Sequence, residues 1–346
     1  MDNLGFALVN TNADDSTQDK IPSSQRIALV KKDIPTLAPG QVLIKMLAAP
    51  VNPSDLVYLM GKYGLPPKAN AYAGFEGCGI VVKANAGLYG KWLVGKRVAV
   101  SADQQCDGVW AKYAVTKASF CLPLRDDVPD SQAATIIVNP CTSVCLVERA
   151  IELGSKAIVV NAAASQVGKG VIRYAKLKGI KTIATVRSSS NIAPLKALGA
   201  DRVLLTSADD YKEVLKASCR EFHAKVLLDA VAVDDTPTVL SAMPTGSTAI
   251  VYGRLTETHD PLGGLFSIAD VIFRDIRIEG FWLLTYMKRA KPWQVISLSR
   301  KVQKLFAQGI FETDIYAEVN FDDFGPALDH YADNKSDGKV ILKPNV

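Results

Sequence analysis

A turn of small residues after an apolar run is the first feature of this sequence that suggests chemistry. The stretch VVNAAASQVGKG, residues 159–170, reads as the end of a strand, a tight turn and the start of a helix. A phosphate-binding turn needs small residues, because its backbone approaches a pyrophosphate closely while a helix N-terminus points at it. Gly168 and Gly170 suit this role, but only part of the G-x-G-x-x-G fingerprint is present. The stretch predicts a dinucleotide site, with a plain strand-to-helix turn as the alternative.

An arginine ends the next apolar run and bears on which dinucleotide binds. Arg187 follows the run 181–186 and lies 19 residues after Gly168. Folds that prefer NAD usually place Asp or Glu there to hold the ribose 2′-hydroxyl. A guanidinium can instead make two charge-assisted bonds to a phosphate group, and the hydroxyl of Ser188 follows it directly. This pattern predicts NADPH as the cofactor; a solvated arginine after a strand is the alternative.

The elements that must position these residues follow from the periodicity. Residues 25–130 contain short apolar runs punctuated by glycine, which is typical of β-rich structure. From about residue 131 the spacing is helical, and strands then alternate with helices, which favours right-handed βαβ units and a parallel sheet. A helix from Pro292 and a last strand in GKVILKP follow. The strands predicted for the alternating region cover residues 156–161, 181–186, 201–205, 225–231, 247–253 and 276–284.

This order predicts an α/β protein in which a nucleotide-binding domain is inserted into a split outer domain. The first part of the outer domain is expected over 1–130 and its second part over 285–346. The nucleotide-binding domain is expected over 131–284. A chain of 346 residues is long enough for two such domains.

Composition excludes several classes of partner. The chain has 40 Lys+Arg and 35 Asp+Glu, a net charge of +5 without basic clusters, so no nucleic-acid partner is expected. No apolar run approaches about 18 residues, so no membrane span is expected. Six cysteines form no C-x-x-C pair, and only three histidines are present, so no metal site is expected. Cys141 and Cys145, four residues apart, are interpreted as small core residues.

Several stretches together resemble one protein family. The turn Asn-Ala-x-x-Ser-x-Val-Gly at 161–168 resembles that of the zinc-independent medium-chain dehydrogenases/reductases, most closely the mitochondrial-type 2-enoyl thioester reductases and quinone oxidoreductase-like proteins. Residues 51–67, 133–143 and 275–283 match the same family in order. In FEGCGIVV, Phe75 stands where zinc alcohol dehydrogenases carry a ligand histidine. The resemblance implies a Rossmann-type parallel-sheet domain inserted in a split, β-rich GroES-like domain, without zinc.

The resemblance also implies roles for individual residues. Tyr63 matches the family tyrosine that supplies or relays a proton; an exposed loop tyrosine is the alternative. Asn52 could orient substrate or nicotinamide, or form an Asx turn before a proline. Thr142 matches a threonine near the nicotinamide carboxamide, or bonds back to its own helix. The residues implied to contact the cofactor are Asn161, Ala164, Ser165, Gln166, Val167, Gly168, Arg187, Ser188, Tyr252, Gly253, Phe281, Trp282 and Lys339.

Trp282 and Lys339 each have a second possible role. Trp282 matches a family position beside the acyl pocket, but an aromatic residue there could equally belong to the core or to a dimer interface. Lys339 could reach the cofactor phosphates, or be a solvated strand lysine.

Three functions are therefore weighed. The first is an NADPH-dependent 2-enoyl thioester reductase with Tyr63 as proton donor. The second is an NADPH-dependent reductase of quinones or α,β-unsaturated carbonyls, in which water could supply the proton. The third is a non-catalytic nucleotide-binding protein. A small-molecule substrate, a homodimer and a cytoplasmic location are expected, with mitochondria possible if a presequence was removed.

Overall fold

The structure is a computed structural model that describes residues 2–9, 21–103, 105–255 and 264–346. The chain divides into two units. The outer unit combines Met1–Val138 with Ile296–Val346, and the inserted unit is Asn139–Val295. The sequence predicts these two divisions after residues 130 and 284.

The N-terminal part of the outer unit consists mainly of strands. They are β1 (Asp2–Leu8), β2 (Ile27–Asp33), β3 (Gln41–Pro50), β4 (Glu76–Asn85), β5 (Arg97–Ser101), β6 (Tyr113–Lys117) and β7 (Cys121–Pro123). Three short helices accompany them: α1 (Pro53–Leu59), α2 (Gly87–Leu93) and α3 (Asp130–Ala133). Single 3₁₀ turns cover Ser23–Arg26 and Ala118–Phe120.

The inserted unit alternates strands and helices, as its periodicity predicts. Its strands are β8 (Ala157–Val160), β9 (Lys181–Val186), β10 (Arg202–Leu205), β11 (Ala224–Asp229), β12 (Thr248–Val251) and β13 (Arg277–Gly280). Its helices are α4 (Val138–Glu152), α5 (Gln166–Leu177), α6 (Ile192–Leu198), α7 (Tyr211–Phe222), α8 (Asp235–Ala242), α9 (Ile268–Phe273) and α10 (Leu283–Arg289). A 3₁₀ turn at Ser189–Asn191 precedes α6.

The strand order of the inserted unit identifies where a ligand would bind. The six strands are parallel and lie in the order β10-β9-β8-β11-β12-β13. This is the doubly wound order 3-2-1-4-5-6, which confirms the predicted fold class. The direction of winding reverses between β8 and β11. In open α/β sheets, ligands bind at the carboxyl ends of the strands at such a reversal.

Two predicted elements differ from the structure. The strand predicted over 276–284 ends at Gly280, and α10 begins at Leu283. The apolar residues of this stretch fit either structure by type, and the short apolar run carries no period that separates strand from helix. The helical spacing that begins near 131 is also interrupted, because α3 ends at Ala133 and α4 starts only at Val138.

The C-terminal part of the chain returns to the outer unit. It contains α11 (Pro292–Ala307), β14 (Ile315–Val319), α12 (Phe324–Asp333) and β15 (Lys339–Leu342). The main sheet has the order β14-β15-β3-β4-β5-β7, with β6 also paired to β3. Leu342 of β15 pairs with Ala49, and Ala48 pairs with Cys78. The end of β3 therefore meets β15 on one side and the start of β4 on the other.

Each unit has its own hydrophobic core. In the outer unit, Phe6, Trp110 and Phe324 stack or meet edge to face within a large aliphatic cluster. In the inserted unit, the core contains Val159 and Leu227 from adjacent strands. Among the helices of the described residues, none is long and apolar enough to cross a membrane.

Candidate functional site

The turn after β8 places the N-terminus of α5 beside the end of that strand. Ser165 is the N-cap of α5, and its Oγ accepts a hydrogen bond from the N–H of Gly168 at 3.1 Å. A Cβ on Gly168 would lie 2.5 Å from the carbonyl oxygen of Ala163, so glycine is needed for this close approach. Ala162 has φ +43°, a left-handed conformation that glycine adopts more easily. Ala162 thus occupies a backbone conformation that a glycine of the G-x-G-x-x-G fingerprint would adopt more easily.

The first turn of α5 is suited to hold an anion. The N–H groups at a helix N-terminus lack partners within the helix, and the helix dipole favours negative charge there. The other turn residues predicted to touch a cofactor are half-buried: Ala164, Gln166 and Val167. The surroundings of this turn therefore fit a pyrophosphate.

Asn161 ties together the two strands between which the winding reverses. Its Nδ2 donates to Asp229 Oδ1 at 2.5 Å and to Asp235 Oδ2 at 2.8 Å. Its Oδ1 accepts from the N–H of Ala230 at 2.7 Å. The side chain is buried, and its carboxamide is used within the protein. Asn161 therefore shapes the crevice; a contact with the cofactor stays a prediction.

Arg187 stands at the carboxyl end of β9, which is next to β8 in the sheet. Its side chain is exposed and makes no hydrogen bond or ion pair with the described residues. Ser188 Oγ lies 2.7 Å from Ser190 Oγ and accepts from the backbone N–H of Ser190. An unpaired guanidinium with neighbouring hydroxyls and no adjacent acid in the sequence fits a phosphate on the adenosine ribose.

A buried hydroxyl lies at the carboxyl end of β12. The backbone N–H of Tyr252 donates to the carbonyl of Asp229 at 2.9 Å, so this tyrosine is next to the reversal of winding. Its Oη is buried and has no hydrogen-bond partner among the described residues. Burial raises the pKa of the Tyr252 phenol, which stays neutral. A buried hydroxyl without a partner is expected to bind a polar group of a ligand. Gly253 follows Tyr252, and a Cβ added to Gly253 would lie 3.2 Å from the carbonyl oxygen of Ala230.

The remaining predicted residues of the inserted unit lie on three elements. Thr142 is a buried residue of α4. Phe281 follows β13 and donates its N–H to Val251 O at 2.8 Å, which keeps it at the carboxyl edge of the sheet. Trp282 is the N-cap residue of α10. Their predicted roles beside a nicotinamide or an acyl chain stay predictions.

A buried polar cluster lies where β3, β4 and β15 meet in the outer unit. Lys339 Nζ donates to Val51 O at 3.0 Å and to Asn52 Oδ1. Asn52 Nδ2 donates to Glu76 Oε1 at 3.0 Å, and Glu76 Oε2 accepts from the N–H of Val138 at 2.8 Å. The side chains of Lys339, Asn52 and Glu76 are all essentially inaccessible to solvent. Charged and polar groups thus replace part of the core here.

Asp55 adds a second carboxylate to this cluster. Its Oδ2 accepts from the N–H of Asn52 at 2.8 Å, and its Oδ1 accepts from the N–H of Phe75 at 3.0 Å. Burial raises the pKa of Asp55 to about 7, although Lys339 opposes this shift. Burial also raises the pKa of Glu76, and lowers that of Lys339 to about 8 against the pull of both carboxylates. The charged forms are therefore costly and depend on one another.

The position of Lys339 corrects its interpretation from the sequence. A solvated strand lysine is wrong, because the side chain is only 1% exposed. A contact with cofactor phosphates is also not what its position offers, because the ammonium is enclosed and bonds to Val51 and Asn52. Asn52 is enclosed in the same way, with both ends of its carboxamide bonded to charged residues. The short run GKVIL does not show whether its lysine, Lys339, is solvated or buried.

We expect Asp55→Asn to change how stability depends on pH. The folded state holds the Asp55 proton up to about pH 7, whereas an unfolded aspartate loses it near pH 4. The folded state therefore binds more protons in this window, so this group's stabilising contribution is full below about pH 4 and is lost as the pH rises to about 7. Urea unfolding from pH 4 to 8 should show a smaller decline for Asp55→Asn than for the wild type. Parallel curves would contradict the role of Asp55.

Tyr63 lies in the segment between α1 and β4, outside any helix or strand. Its side chain is half-buried. The centre of its ring lies 5.1 Å from that of Phe75, with 36° between the planes. Tyr63 therefore belongs to the same unit as the buried cluster. Its ring contacts Phe75, which directly precedes the cluster residue Glu76 in the chain.

Comparison with known proteins identifies the family. Residues 38–126 match the alcohol dehydrogenase GroES-like domain, and residues 167–299 match the zinc-binding dehydrogenase family. A mitochondrial enoyl-[acyl-carrier-protein] reductase of Arabidopsis thaliana is 32% identical over 316 residues, covering 88% of this chain and 79% of that protein. The chain belongs to the medium-chain dehydrogenase/reductase superfamily. The protein of the same name from Bos taurus is 29% identical over 326 residues, covering 91% of this chain and 84% of the relative.

Solved structures agree with this membership of the medium-chain dehydrogenase/reductase superfamily. A proposed NADPH:quinone reductase from Mesorhizobium loti superposes with a TM-score of 0.87 at 34% identity, covering 99% of this chain and 98% of the other. A complex of Etr1p with NADP and crotonyl-CoA superposes with a TM-score of 0.81 at 21% identity, covering 99% and 100%, which bears on the fold alone. The relatives are reductases, and this chain is an oxidoreductase.

The name of one matching family refers to zinc, which raises the question of metal ligands. In the part of the chain that the structure describes, no group of three or more His, Cys, Asp or Glu residues could hold a metal ion. Phe75, at the position of a ligand histidine in zinc-dependent members of the superfamily, packs between Tyr58 and Tyr63. Zinc independence stays a prediction from the sequence.

Three further residues, Asp229 in the inserted unit and Asp55 and Glu76 in the outer unit, organise the polar groups of their own units and are not predicted from the motifs. Asp229 ends an apolar strand in KVLLD, and an acid directly after such a strand is a usable signal for the carboxyl edge of a sheet. Asp55 lies in the matched stretch 51–67, from which Asn52 and Tyr63 are predicted as site residues, and Glu76 follows Phe75 in FEGCGIVV. Their burial depends on long-range pairing: Asn52 and Lys339 are 287 residues apart in the chain.

Proposed function

We propose that this protein is an NADPH-dependent reductase that transfers a hydride to the activated C=C bond of a 2-enoyl thioester. The observation that carries the cofactor assignment is the exposed Arg187 at the carboxyl end of β9, which has no hydrogen-bond or ion-pair partner among the residues that the structure describes. It stands one strand away from the turn of Ser165 and Gly168, where a helix N-terminus fits the pyrophosphate. The substrate assignment is supported by relatives that carry the name enoyl-[acyl-carrier-protein] reductase and match 88% or more of this chain.

The reduction needs a hydride, a proton and a place for charge on the carbonyl oxygen. When bound, the reduced nicotinamide supplies the hydride. Tyr63 donates its phenolic proton to the carbon next to the thioester carbonyl, and the phenolate regains a proton from solvent. Two electrons and one proton arrive with the hydride, and Tyr63 provides the second proton, so the C=C bond becomes a CH–CH bond. With an ordinary pKa near 10, a phenol is a weak acid that needs accurate placement to act.

A second candidate has specific support. The protein from Mesorhizobium loti, at 34% identity, is a proposed NADPH:quinone reductase. A quinone takes up the same hydride, but its reduction needs no acid that protonates a carbon atom, because water can protonate the quinone oxygens. Following NADPH oxidation by its absorbance with crotonyl-CoA and with a 1,4-quinone separates the two. Turnover of crotonyl-CoA at a kcat/KM at least tenfold above that of the quinone is the expected result; the reverse order would favour the quinone reductase. Failure to bind NADPH would favour a non-catalytic protein.

Arg187→Ala tests the cofactor assignment. We expect the affinity for NADPH to fall by roughly 2 kcal/mol, about 30-fold, with NADH nearly unaffected, because only NADPH carries the 2′-phosphate. Both dissociation constants can be measured by quenching of protein fluorescence. Lys181→Ala is a matched control, because Lys181 is an exposed cation at the amino end of the same strand. Equal losses for NADPH and NADH in Arg187→Ala would contradict the role of Arg187.

A homodimer is supported by the exposed edge of the inserted sheet. β13 is the last strand of the sheet, and its Ile278 is 47% exposed. Phe273, at the end of the neighbouring α9, is 81% exposed. An apolar, unpaired sheet edge favours pairing with a second copy of the chain. Analytical ultracentrifugation should find a mass of twice 37.2 kDa.

The compartment is open to a direct test. A cytoplasmic location is predicted from the sequence, while the relatives named above are mitochondrial proteins. Cell fractionation followed by detection with an antibody distinguishes the two.

A further inference from the structure

The proton donor of the proposed function lies on a segment that needs support from outside. Tyr63 belongs to the stretch of 16 residues that connects α1 to β4, and no helix or strand holds it. A proton transfer requires the donor oxygen within hydrogen-bond reach of the acceptor, so the position of the ring matters as much as its acidity. The structure shows two restraints on this residue, one on its backbone and one on its ring.

The backbone before Tyr63 is fixed by the way α1 ends. Gly61 has φ +71°, and its N–H donates to Tyr58 O at 2.9 Å. The N–H of Lys62 donates to Val57 O at 3.0 Å. These two bonds form a Schellman motif, which terminates a helix with a defined change of direction. The direction in which the chain continues from α1 to Tyr63 is therefore fixed by these two hydrogen bonds.

The ring of Tyr63 is restrained by Phe75. Phe75 lies between two tyrosines: its ring centre is 5.1 Å from that of Tyr63 and 5.1 Å from that of Tyr58. The planes are inclined by 36° and 58°, within the tilted arrangements that aromatic pairs favour. Tyr58 is itself held on α1, and its Oη accepts from the N–H of Lys68 at 3.1 Å. Phe75 thus connects the ring of Tyr63, which stands on a loop, to a residue of a helix.

Phe75 is in turn held by its own backbone. Its N–H donates to Asp55 Oδ1 at 3.0 Å, and its carbonyl accepts from the N–H of Ala102 at 2.8 Å. The next residue, Glu76, begins β4 and belongs to the buried cluster with Asn52. Both backbone polar groups of Phe75 are therefore satisfied within the outer unit. A ring on such a backbone can act as a fixed surface for its neighbour.

We propose that Phe75 is a positioning residue that fixes the ring of Tyr63 in the orientation needed for proton donation. This inference rests on the proposed function. A flat aromatic side chain is required at position 75, because a branched aliphatic side chain fills similar volume without constraining the tilt of the Tyr63 ring. Phe75 thus orients Tyr63, the proton donor of the proposed function.

The test combines substitutions at both positions in the full-length protein. Phe75→Leu should lower kcat for crotonyl-CoA about tenfold with KM changed less than threefold, and Phe75→Tyr should restore kcat to within twofold of the wild type. In a Tyr63→Phe background, Phe75→Leu should change kcat by less than twofold, because the hydroxyl that it positions is gone. Phe306→Leu is a matched control: Phe306 is a half-buried phenylalanine of α11 that meets Phe311 edge to face.

A spectroscopic readout separates this inference from the proposed function. With 3-fluorotyrosine at position 63, Phe75→Leu should shift and split the ¹⁹F resonance, while Phe306→Leu should leave it unchanged. The positioning role would be overturned by an unchanged resonance, or by a loss of kcat in Phe75→Leu that is equally large in the wild-type and the Tyr63→Phe backgrounds. The resonance alone decides if the residual kcat of Tyr63→Phe is too low to measure. If Tyr63→Phe keeps more than a third of kcat while the resonance still moves, the proton-donor function fails, and with it the catalytic purpose assigned to Phe75.

Discussion

Replacing Lys339 by methionine is expected to lower the free energy of unfolding by about 3–5 kcal/mol, because it leaves the buried acidic side chains of Asp55 and Glu76 without their cation. The side chain is 1% exposed, and it bonds to Val51 O and Asn52 Oδ1 in the interior of the outer unit. Asp55 and Glu76 are fully buried nearby, and burial already raises the pKa of both. Methionine has a similar length but no charge, so the loss measures the electrostatic role of the ammonium.

The loss of stability in Lys339→Met depends on the acidic side chains that remain, so removing one of them provides a control. Glu76→Gln removes one of the two carboxylates, so the double variant Lys339→Met/Glu76→Gln should be more stable than Lys339→Met alone. Lys343→Met is a matched control, since Lys343 is partly exposed and pairs with Glu318 at 3.5 Å, a contact worth about 1 kcal/mol or less.

Urea unfolding followed by tryptophan fluorescence is a suitable measurement, because Trp110 is fully buried in the core of the same unit. A loss below about 1 kcal/mol for Lys339→Met, far from the range expected for a broken buried pair, would mean that the ammonium does not stabilise the cluster.

Local pattern was sufficient for most of the fold of the inserted unit. Apolar runs and helical spacing predicted each of its six strands, because a parallel sheet with helices on its faces has a short and regular repeat. The exception, the stretch that contains Gly280 and Trp282, lies at the edge of the sheet. There the chain leaves β13 for α10, and the change depends on surroundings that the residue types do not encode.

The candidate site was predictable where its residues follow strands and unpredictable where it depends on distant pairing. Arg187 and the turn at Ser165 were found because each comes directly after an apolar run. The environment of Lys339 was not found, because its partner Asn52 is 287 residues away in the chain. The backbone of Ala162 was equally hidden, since its positive φ contradicts the preference of its residue type.

Tyr63→Phe is expected to lower kcat for crotonyl-CoA by about 100-fold or more, with KM within threefold of the wild type. Phenylalanine keeps the ring that packs 5.1 Å from Phe75 and removes only the hydroxyl. The fold and the binding of NADPH should therefore persist, and the loss should appear in the chemical step. A loss of about 100-fold corresponds to about 2.7 kcal/mol of transition-state stabilisation.

The control for this variant is another tyrosine whose hydroxyl has a purely structural bond. Tyr89 of α2 donates its Oη–H to Cys121 O at 3.0 Å and is partly exposed, so Tyr89→Phe should keep kcat within twofold. The quinone reaction provides a second comparison, because water can protonate a reduced quinone without help from a phenol. Tyr63→Phe should thus slow crotonyl-CoA reduction far more than quinone reduction. If kcat with crotonyl-CoA falls less than threefold, the proton comes from water and Tyr63 only lines the site.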